Sequence, residues 1–396
     1  MIARPAPDSL FVSALLTCMV GLGALSTDMY LPMLPEIGRE FAAPVASVQL
    51  TLSVFMYGFA FSQLVYGPLS DRFGRRPVLL AGLSLYLIGS IACVLASSIE
   101  MLIAFRFLQA IGACAGPILA RAVVRDVYAR ERAATVLAYM ASAMALIPAI
   151  APIFGGWIGV WLGWRIIFVV MALFTALLLA CLIMTLRETN VHVRADALKL
   201  DVLLLTYLSF FKHRAYMGYM LANALIFGGM FAFISGSSFV LIDVVGVAPE
   251  NFGFCFAGVV AGYIIGSQTA GRMTPRFGID GVVFAAACCG ALAGSLLLAA
   301  NLGLGASVLT IVPAMALFFG SGGALMPNAV AGAIAPFPAQ AGSASALLGF
   351  VQMAAAATAG ALVGHLHDGT SLPMTSIVFV MGALAWVSFV LLRTRP

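Results

Sequence analysis

Asp28 and Arg106 are the two charged residues whose positions favour chemistry. Asp28 lies in an apolar run, four residues before Pro32, and Arg106 lies about one helical turn inside another such run. A charge in such a segment is costly and usually faces a cavity or a partner. A buried carboxyl beside a cation can bind and release a proton, whereas arginine stays protonated. We therefore expect Asp28 to bind protons or substrate with Arg106 as its partner. The alternatives are an interfacial Asp28 that caps the turn at Pro32 and an Arg106 that snorkels to the membrane surface.

The elements that hold these residues are membrane-spanning helices. The chain is 63% hydrophobic and 9% charged, which is more apolar surface than a soluble domain of 396 residues buries. A helix crosses a bilayer with about 20 apolar residues, and the apolar runs have this length without the alternation of a barrel strand. The sequence therefore predicts an all-α polytopic membrane protein with twelve transmembrane helices, at residues 10–32, 46–68, 77–97, 101–121, 133–158, 164–186, 215–241, 250–271, 281–301, 305–327, 340–364 and 372–392.

A long polar stretch divides these spans into two groups of six. We predict an N-terminal six-helix bundle at residues 1–186, a cytoplasmic linker at 187–213 and a C-terminal six-helix bundle at 214–396. With the N-terminus in the cytoplasm, all of the 20 Lys and Arg residues except Arg39, Arg106 and Arg165 fall in cytoplasmic segments. Both termini are then expected in the cytoplasm, with the first span retained as a helix rather than cleaved as a signal.

A short Gly/Arg segment occurs once in each half. Residues 67–76 read GPLSDRFGRR, and residues 271–280, 204 positions later, read GRMTPRFGID. A polar hinge repeated between two spans of each half is typical of a duplicated transporter. Its glycines permit a tight turn and close helix approach, and we expect Asp71 to pair with Arg121 or Arg125 in a latch that breaks in another conformation. The alternative is a basic loop that only sets topology. The candidate hinge residues are Gly67, Asp71, Arg72, Gly74, Arg75, Arg76, Arg121 and Arg125.

Span five combines two prolines with two glycines. Proline opens backbone hydrogen bonds and glycine permits close approach, so this helix is expected to kink against a neighbour. The alternative is an ordinary kinked membrane helix, since both residue types are common in such helices. The residues concerned are Pro148, Pro152, Gly155 and Gly156.

A cavity for a small molecule needs apolar walls and a few polar contacts. Aromatic, Met and amide side chains within the spans suit this purpose, although such residues also serve packing or face lipid. The second half has no Asp, Glu, Lys or Arg in mid-span, so a proton-carrying carboxyl is expected in the first half. The candidate cavity residues are Tyr57, Gln109, Tyr139, Met144, Asn223, Phe227, Phe231 and Gln268.

Other kinds of chemistry find little support in the sequence. His365, His367 and Asp368 resemble metal ligands in type, but their place at the end of span eleven favours an exposed loop. The seven Cys lie in or beside apolar runs without metal-ligand spacing. We find no nucleophile–base set and no phosphate-binding Gly loop followed by Lys. The net charge of +5 lies in short loops and implies no nucleic-acid partner. We therefore expect neither an enzyme nor an ATP-driven pump, and neither a metal nor a cofactor.

Five short segments, taken in order, resemble one family over the whole chain. They are STDMYLP at 26–32, GPLSDRFGRRPVLLAG at 67–82, RFLQAIGA at 106–113, VRDVYAR at 124–130 and APIFGG at 151–156. Together they resemble the Bcr/CflA group of drug:proton antiporters in the major facilitator superfamily, and the span-five residues are similar to its antiporter motif. Ala110 and Ala151 stand where the family patterns often have Gly, and the second hinge has Pro275 where the first has Asp71.

The resemblance implies a secondary active exporter of small amphipathic antibiotics such as chloramphenicol and bicyclomycin. It would act in the bacterial inner membrane as a monomer, by alternating access, with the proton gradient as its energy source. The alternatives are a proton-coupled transporter of a nutrient or metabolite on the same fold and a non-transporting membrane sensor or scaffold. A sensor would tolerate loss of Asp28.

Overall fold

The computed structural model describes residues 9–190 and 200–393, and these residues contain helices but no strand. This confirms the predicted all-α class. The helices before residue 191 are α1 (Leu10–Val20), α2 (Leu22–Asp28), α3 (Leu34–Glu40), α4 (Val45–Phe73), α5 (Arg75–Val94), α6 (Ile99–Val127), α7 (Arg130–Leu162) and α8 (Trp164–Thr185). Those that follow are α9 (Leu200–Phe210), α10 (Arg214–Ser238), α11 (Pro249–Leu304), α12 (Val308–Ile334), α13 (Ala341–His365) and α14 (Leu372–Leu392).

The first span, α1 to α3, is interrupted twice. α1 and α2 are separated at Gly21, and a one-turn 3-10 helix, Leu31–Met33, separates α2 from α3. Pro32 in this turn has no N–H to donate to the carbonyl of Asp28, four residues earlier, so the α-helical hydrogen bonding ends there. The span continues to Glu40, beyond the predicted end at residue 32.

The longest helix, α11, accounts for two spans. Its 56 residues would extend about 84 Å, whereas a bilayer core is about 30 Å thick. Gly278 interrupts it with non-helical angles, φ 71° and ψ 170°, and glycine tolerates a positive φ. Eleven helical segments in the described ranges are long and apolar enough to cross a membrane. Dividing α11 at Gly278 gives the twelve predicted spans, with the second hinge between spans eight and nine.

The predicted linker at 187–213 contains a helix, α9, that the sequence interpretation did not include. Phe210 at its end is buried against the rings of Tyr216 and Phe337, with centroid distances of 5.3 and 4.9 Å. Polar residues flank this short apolar segment on both sides, so its sequence was interpreted as part of a polar linker. Residues 191–199 of the linker lie outside the described ranges, and the division at 1–186, 187–213 and 214–396 stays a prediction.

The two halves meet along two helix pairs. We name the membrane face opposite the two described chain ends the distal face, and the face that carries these ends the proximal face. α4 packs against α13, where a Cβ on Gly364 would lie 3.0 Å from Gln49 Oε1. α7 packs against α11 near the distal face, where a Cβ on Gly253 would lie 2.5 Å from the backbone of Ile153. These glycines let the halves approach closely, and the contacts close the distal face.

Candidate functional site

Asp28 lies at the break between α2 and the 3-10 turn and is 4% exposed. Its Oδ1 accepts a hydrogen bond from the Thr27 hydroxyl at 3.0 Å. Next to it, the Met29 carbonyl lies against α7, where a Cβ on Gly155 would approach the Met29 oxygen to 1.6 Å. Gly155 is therefore required for α7 to pack against this break. The burial of Asp28 argues against an interfacial cap exposed to water.

Arg106 is fully buried on α6 in a cage of aromatic rings. Its guanidinium carbon lies 4.6 Å from the Tyr30 ring centroid, 4.3 Å from that of Phe55 and 5.8 Å from that of Phe168. We call these three rings the aromatic cage. Cation–π attraction is strongest where water is excluded, so the cage stabilises the charge. Complete burial also excludes an Arg106 that snorkels to the membrane surface.

Hydrogen bonds extend this site through the first half. Arg106 Nη1 donates to Gln109 Oε1 at 2.5 Å, and Gln109 Nε2 donates to Ser90 Oγ on α5 at 2.8 Å. The Tyr30 and Thr51 hydroxyls are 2.9 Å apart, which ties the cage to α4. Within the described ranges, Arg106 Nε and Nη2 have no hydrogen-bond partner. The cation therefore holds two unused donors in a buried site.

The expected contact between Asp28 and Arg106 is not formed in this structure. The ion pairs within 4.0 Å in the described part of the chain do not include these residues. Asp28 is bonded to the adjacent Thr27, while the guanidinium enters the cage formed by Tyr30, beyond the helix break. The contact was expected because both residues lie at a similar depth in the membrane. Equal depth does not determine the directions in which the two side chains point.

The first hinge contains a charge cluster, but with partners other than those expected. Arg75 Nη1 donates to Asp71 Oδ1 at 2.6 Å, and Arg75 Nε donates to Asp126 Oδ2 at 3.0 Å. The expected pairing of Asp71 with Arg121 or Arg125 is not formed in this conformation, and the latch stays a prediction. Gly74, at φ 96°, turns the chain so that the first residue of α5 reaches back to the end of α4. Asp126, which the sequence interpretation missed, lies in the 124–130 segment.

Glu188 and Asn190 cap both helices of this hinge. Glu188 Oε1 and Oε2 accept from the backbone N–H groups of Arg75 and Arg76 at 2.8 and 3.1 Å. Asn190 Nδ2 donates to the carbonyls of Ser70 and Asp71 at 3.2 and 3.3 Å, at the end of α4. A carboxylate at a helix N-terminus satisfies free donors and suits the helix dipole. A Glu just after span six was the available signal in the sequence for this cap.

The two hinge glycines differ in their surroundings. A Cβ on Gly74 would lie 2.5 Å from Glu188 Oε2, so Gly74 makes room for the cap. A Cβ on Gly67 would meet nothing within 4 Å. No other helix approaches Gly67 closely in this conformation, and its expected role in helix approach stays a prediction. Arg72 and Arg125 are exposed, and Arg76 Nε donates to the Leu186 carbonyl at 2.8 Å.

The second hinge has its own contacts within the second half. Asp280 accepts a hydrogen bond from the Tyr219 hydroxyl of α10. The Thr274 hydroxyl donates to Asn328 Oδ1 of α12 at 2.9 Å. The two copies thus differ: the first holds an Arg–carboxylate cluster, whereas the second holds its carboxyl with a tyrosine hydroxyl and pairs Thr274 with an amide.

Span five is a single helix, α7, that contains Pro148 and Pro152. Its two glycines face different neighbours. Gly155 contacts the break in the first span, whereas a Cβ on Gly156 would lie 2.7 Å from the Pro249 carbonyl of α11. The close approach expected of these glycines is therefore present, once within the first half and once between the halves.

The eight candidate cavity residues differ in burial and in their partners, and their common cavity stays a prediction. Gln109 belongs to the Arg106 network, and Phe231 is buried where a Cβ on Gly360 would lie 2.9 Å from its ring. Gln109 is thus held by hydrogen bonds within the first half, and Phe231 packs against α13. Asn223 is buried and bonded to Gln352, the Tyr57 hydroxyl lies 2.9 Å from that of Thr358, and Phe227 is partly buried. The exposed candidates are Tyr139, Met144 and Gln268.

Arg121 borders a cavity of about 260 Å³ between α6 and α7. Its Nη2 lies 3.8 Å from the sulfur of Met144, and the cavity is lined by Arg121, Leu137, Met140, Ala141 and Met144. Arg121 is therefore near the hinge in space but points to a Met-lined space instead of to Asp71.

The His365 to Asp368 segment is a turn in this structure. Asp368 Oδ1 accepts from the Thr370 hydroxyl at 2.6 Å and from the Thr370 N–H at 2.9 Å. These hydrogen bonds hold the pKa of Asp368 below its usual range. In the described ranges, no three His, Cys, Asp or Glu residues are grouped to hold a metal ion.

Known proteins resemble this chain in sequence and in fold. A family model for the Major Facilitator Superfamily matches residues 16–259. A bicyclomycin resistance protein homolog of Haemophilus influenzae is 32% identical over 93% of this chain and 91% of that protein. Multidrug resistance protein D of Escherichia coli is 28% identical over 96% of this chain and 95% of that protein. A chloramphenicol resistance protein of Pseudomonas aeruginosa is 33% identical over 70% of this chain and 65% of that protein.

Solved structures show the same fold at low sequence identity. A bacterial homolog of the human lysosomal transporter Spinster superposes with a TM-score of 0.75 at 18% identity, over 99% of this chain and all of that chain. A D-xylose–proton symporter gives a TM-score of 0.74 at 15% identity, with 97% of each chain covered.

Proposed function

Because this chain belongs to the major facilitator superfamily and is a multi-pass membrane transporter rather than an enzyme, we propose that it exports small amphipathic antibiotics by proton-coupled antiport. Relatives named for resistance to bicyclomycin, to chloramphenicol and to multiple drugs support this substrate class. The proposed location is the bacterial inner membrane, with both termini in the cytoplasm. The proposed energy source is the proton gradient, with no cofactor, and the proposed unit is a monomer.

The observation that carries the proposal is the buried carboxyl of Asp28 at a break in the first span. In the proposed cycle, two six-helix bundles rock about a site near the membrane midplane. A proton arriving from the distal face reaches Asp28, and its binding is coupled to release of the drug. The proton then leaves at the proximal face. In antiport, the proton and the drug must not both favour the same conformational step. A single carboxyl that binds either a proton or a cationic drug, but not both at once, meets this requirement.

Arg106 supplies an indirect route for a neutral drug. A neutral molecule cannot compete with a proton by charge, so it must act through a group that responds to Asp28. Arg106 lies in the same half, keeps its charge and has two donors without a partner in the described ranges. The Tyr30 segment could rearrange so that a carboxylate or a polar drug group reaches these donors. Such a rearrangement would couple protonation of Asp28 to binding of the drug.

The closed distal face supports drug entry from the proximal side. Trp157 of α7 lies 6.4 Å from Phe254 of α11 between ring centroids, and the Ser238 hydroxyl donates to the Leu31 carbonyl at 2.6 Å. Both contacts join the two halves near the distal face. Exposed side chains on the proximal half of α7, such as Tyr139 and Met144, are the ones that a drug would meet first.

The test is chloramphenicol transport in proteoliposomes with an imposed pH gradient. We expect Asp28→Asn to abolish proton-driven drug movement while the variant still inserts and binds chloramphenicol, because an amide cannot carry a proton. Asp28→Glu should retain part of the activity. Asp368→Asn, which changes an exposed carboxyl in a turn, is the matched control and should transport normally. Full proton-driven transport by Asp28→Asn would overturn the assignment, and proton-coupled uptake of a nutrient without drug transport would favour the alternative substrate class.

A further inference from the structure

Asn223 carries a buried hydrogen-bond acceptor that no described residue uses. Its side chain on α10 is fully buried, and its Nδ2 donates to Gln352 Oε1 of α13 at 2.8 Å. Its Oδ1 has no hydrogen-bond partner within the described ranges. Buried polar atoms are nearly always paired, so an unpaired carbonyl needs an explanation such as a ligand.

The position of this amide pair suits a site in the transport path. Asn223 follows the proximal end of α10 by nine residues and Gln352 follows that of α13 by eleven, which places them about 14 and 17 Å into the membrane. Gln352 is only partly buried. One turn before it, a Cβ on Gly349 would lie 2.1 Å from Gln63 Oε1 of α4, in the other half. The pair therefore lies beside the junction between halves, where transporters of this architecture bind substrate.

Four helices of the second half around the pair carry almost no charge. Apart from Arg214 at the start of α10, the sequences of α10, α12, α13 and α14 contain no Asp, Glu, Lys or Arg. The carboxyl of Asp280 reaches α10 at Tyr219, one turn nearer the proximal face, and is already hydrogen-bonded there. Asn223 itself offers an uncharged acceptor, which a substrate hydroxyl can use without a counter-ion.

We propose that Asn223 and Gln352 form the contact of the second half with the drug, in which Asn223 Oδ1 accepts a hydrogen bond from a hydroxyl of a neutral substrate. This inference rests on the proposed function and deepens it. The first half then responds to charge through Asp28 and Arg106, and the second half selects neutral hydrogen-bonding groups. A site built to accept a hydrogen bond discriminates strongly against analogues that lack the donor.

The experiment measures equilibrium binding to the purified full chain in nanodiscs, without a pH gradient. The probes are chloramphenicol, which has two hydroxyls and one amide N–H, and its diacetyl ester, which has lost both hydroxyl donors. We expect Asn223→Leu to weaken chloramphenicol binding about tenfold or more while changing ester binding less than twofold. Asn328→Leu, which alters an amide bonded to Thr274 and the Ala324 carbonyl in the same half, is the matched control and should bind both probes like the wild type.

The comparison of two ligands keeps the inference falsifiable if a variant is destabilised. A purely structural role for Asn223 would weaken both probes equally, and that result would overturn the inference, as would unchanged binding of both. Asn223→Ser, which keeps a small hydroxyl acceptor, should restore part of the difference between the probes. The wild-type protein could also bind the two probes differently, as expected, and yet show no proton-driven transport. That result would reject the proposed antiport mechanism but would still support the Asn223 site.

Discussion

Arg39 and Asp243 are 204 residues apart and form an ion pair of 3.4 Å at the distal face. The same interval of 204 residues separates the two copies of the hinge. Arg39 and Asp243 therefore occupy equivalent positions in the two halves. Parallel repeats are related by a pseudo-two-fold axis along the membrane normal, and equivalent residues touch only close to that axis. The ion pair thus joins the halves near the centre of the closed distal face.

We predict that Arg39→Glu raises the population of molecules open at the distal face. The pair is exposed, with side chains 69% and 44% accessible, so its contribution is at most about 1 kcal/mol and the shift at most about fivefold. Double electron–electron resonance between spin labels at the distal ends of α3 and α10 measures this population. The exchanged pair Arg39→Asp with Asp243→Arg should restore the wild-type distances. Arg165→Glu is the control, because Arg165 pairs with Glu40 inside one half. An unchanged distance distribution in Arg39→Glu would exclude a role in closure.

Gln49 is expected to oppose the closed state of the same face. It is fully buried against α13 near Gly364, and neither amide atom has a partner among the described residues. A buried polar group without a partner costs about 1–3 kcal/mol, and that cost disappears when the face opens to water. Gln49→Leu should therefore stabilise the closed face and slow transport, with fewer open molecules in the same resonance measurement. Gln268→Leu changes an exposed amide and serves as control. More open molecules in Gln49→Leu would indicate that a bound water satisfies the amide instead.

The sequence predicted which residues are buried charges better than it predicted their partners. Apolar length and the basic count placed Asp28 and Arg106 inside spans, because those properties follow from the chain alone. The aromatic cage could not be foreseen, because Tyr30, Phe55 and Phe168 come from three separate spans and their meeting depends on how helices rotate. The Glu188 cap was missed for a related reason. It joins the end of span six to the start of span three, and capping patterns are normally sought within a few residues of a helix end.

Arg106→Met is predicted to separate stability from function. Methionine fills the aromatic cage with an apolar chain, and removal of a buried cation with two unpaired donors relieves a desolvation cost. We expect the melting temperature of the purified protein to stay the same or rise, while proton-driven chloramphenicol transport falls at least tenfold. Arg106→Lys keeps the charge but loses the planar fork that contacts both Gln109 and the rings, so it should retain only part of the activity. A melting temperature several degrees lower in Arg106→Met would show that the cage needs the cation for folding.

Gly74 and Gly67 provide a matched pair that tests whether the hinge needs its shape or only its charge. Gly74→Ala places a Cβ at φ 96° and 2.5 Å from Glu188 Oε2, so backbone strain of about 1–3 kcal/mol adds to displacement of the cap. Gly67→Ala adds a methyl group where nothing lies within 4 Å, inside α4, and should stabilise that helix by about 0.5–1 kcal/mol. We expect a lower melting temperature and impaired transport for Gly74→Ala, and a stable, active protein for Gly67→Ala. Both variants keep every charge of the hinge, so equal activity in the two would show that the cluster acts through charge alone and that the Glu188 cap is dispensable.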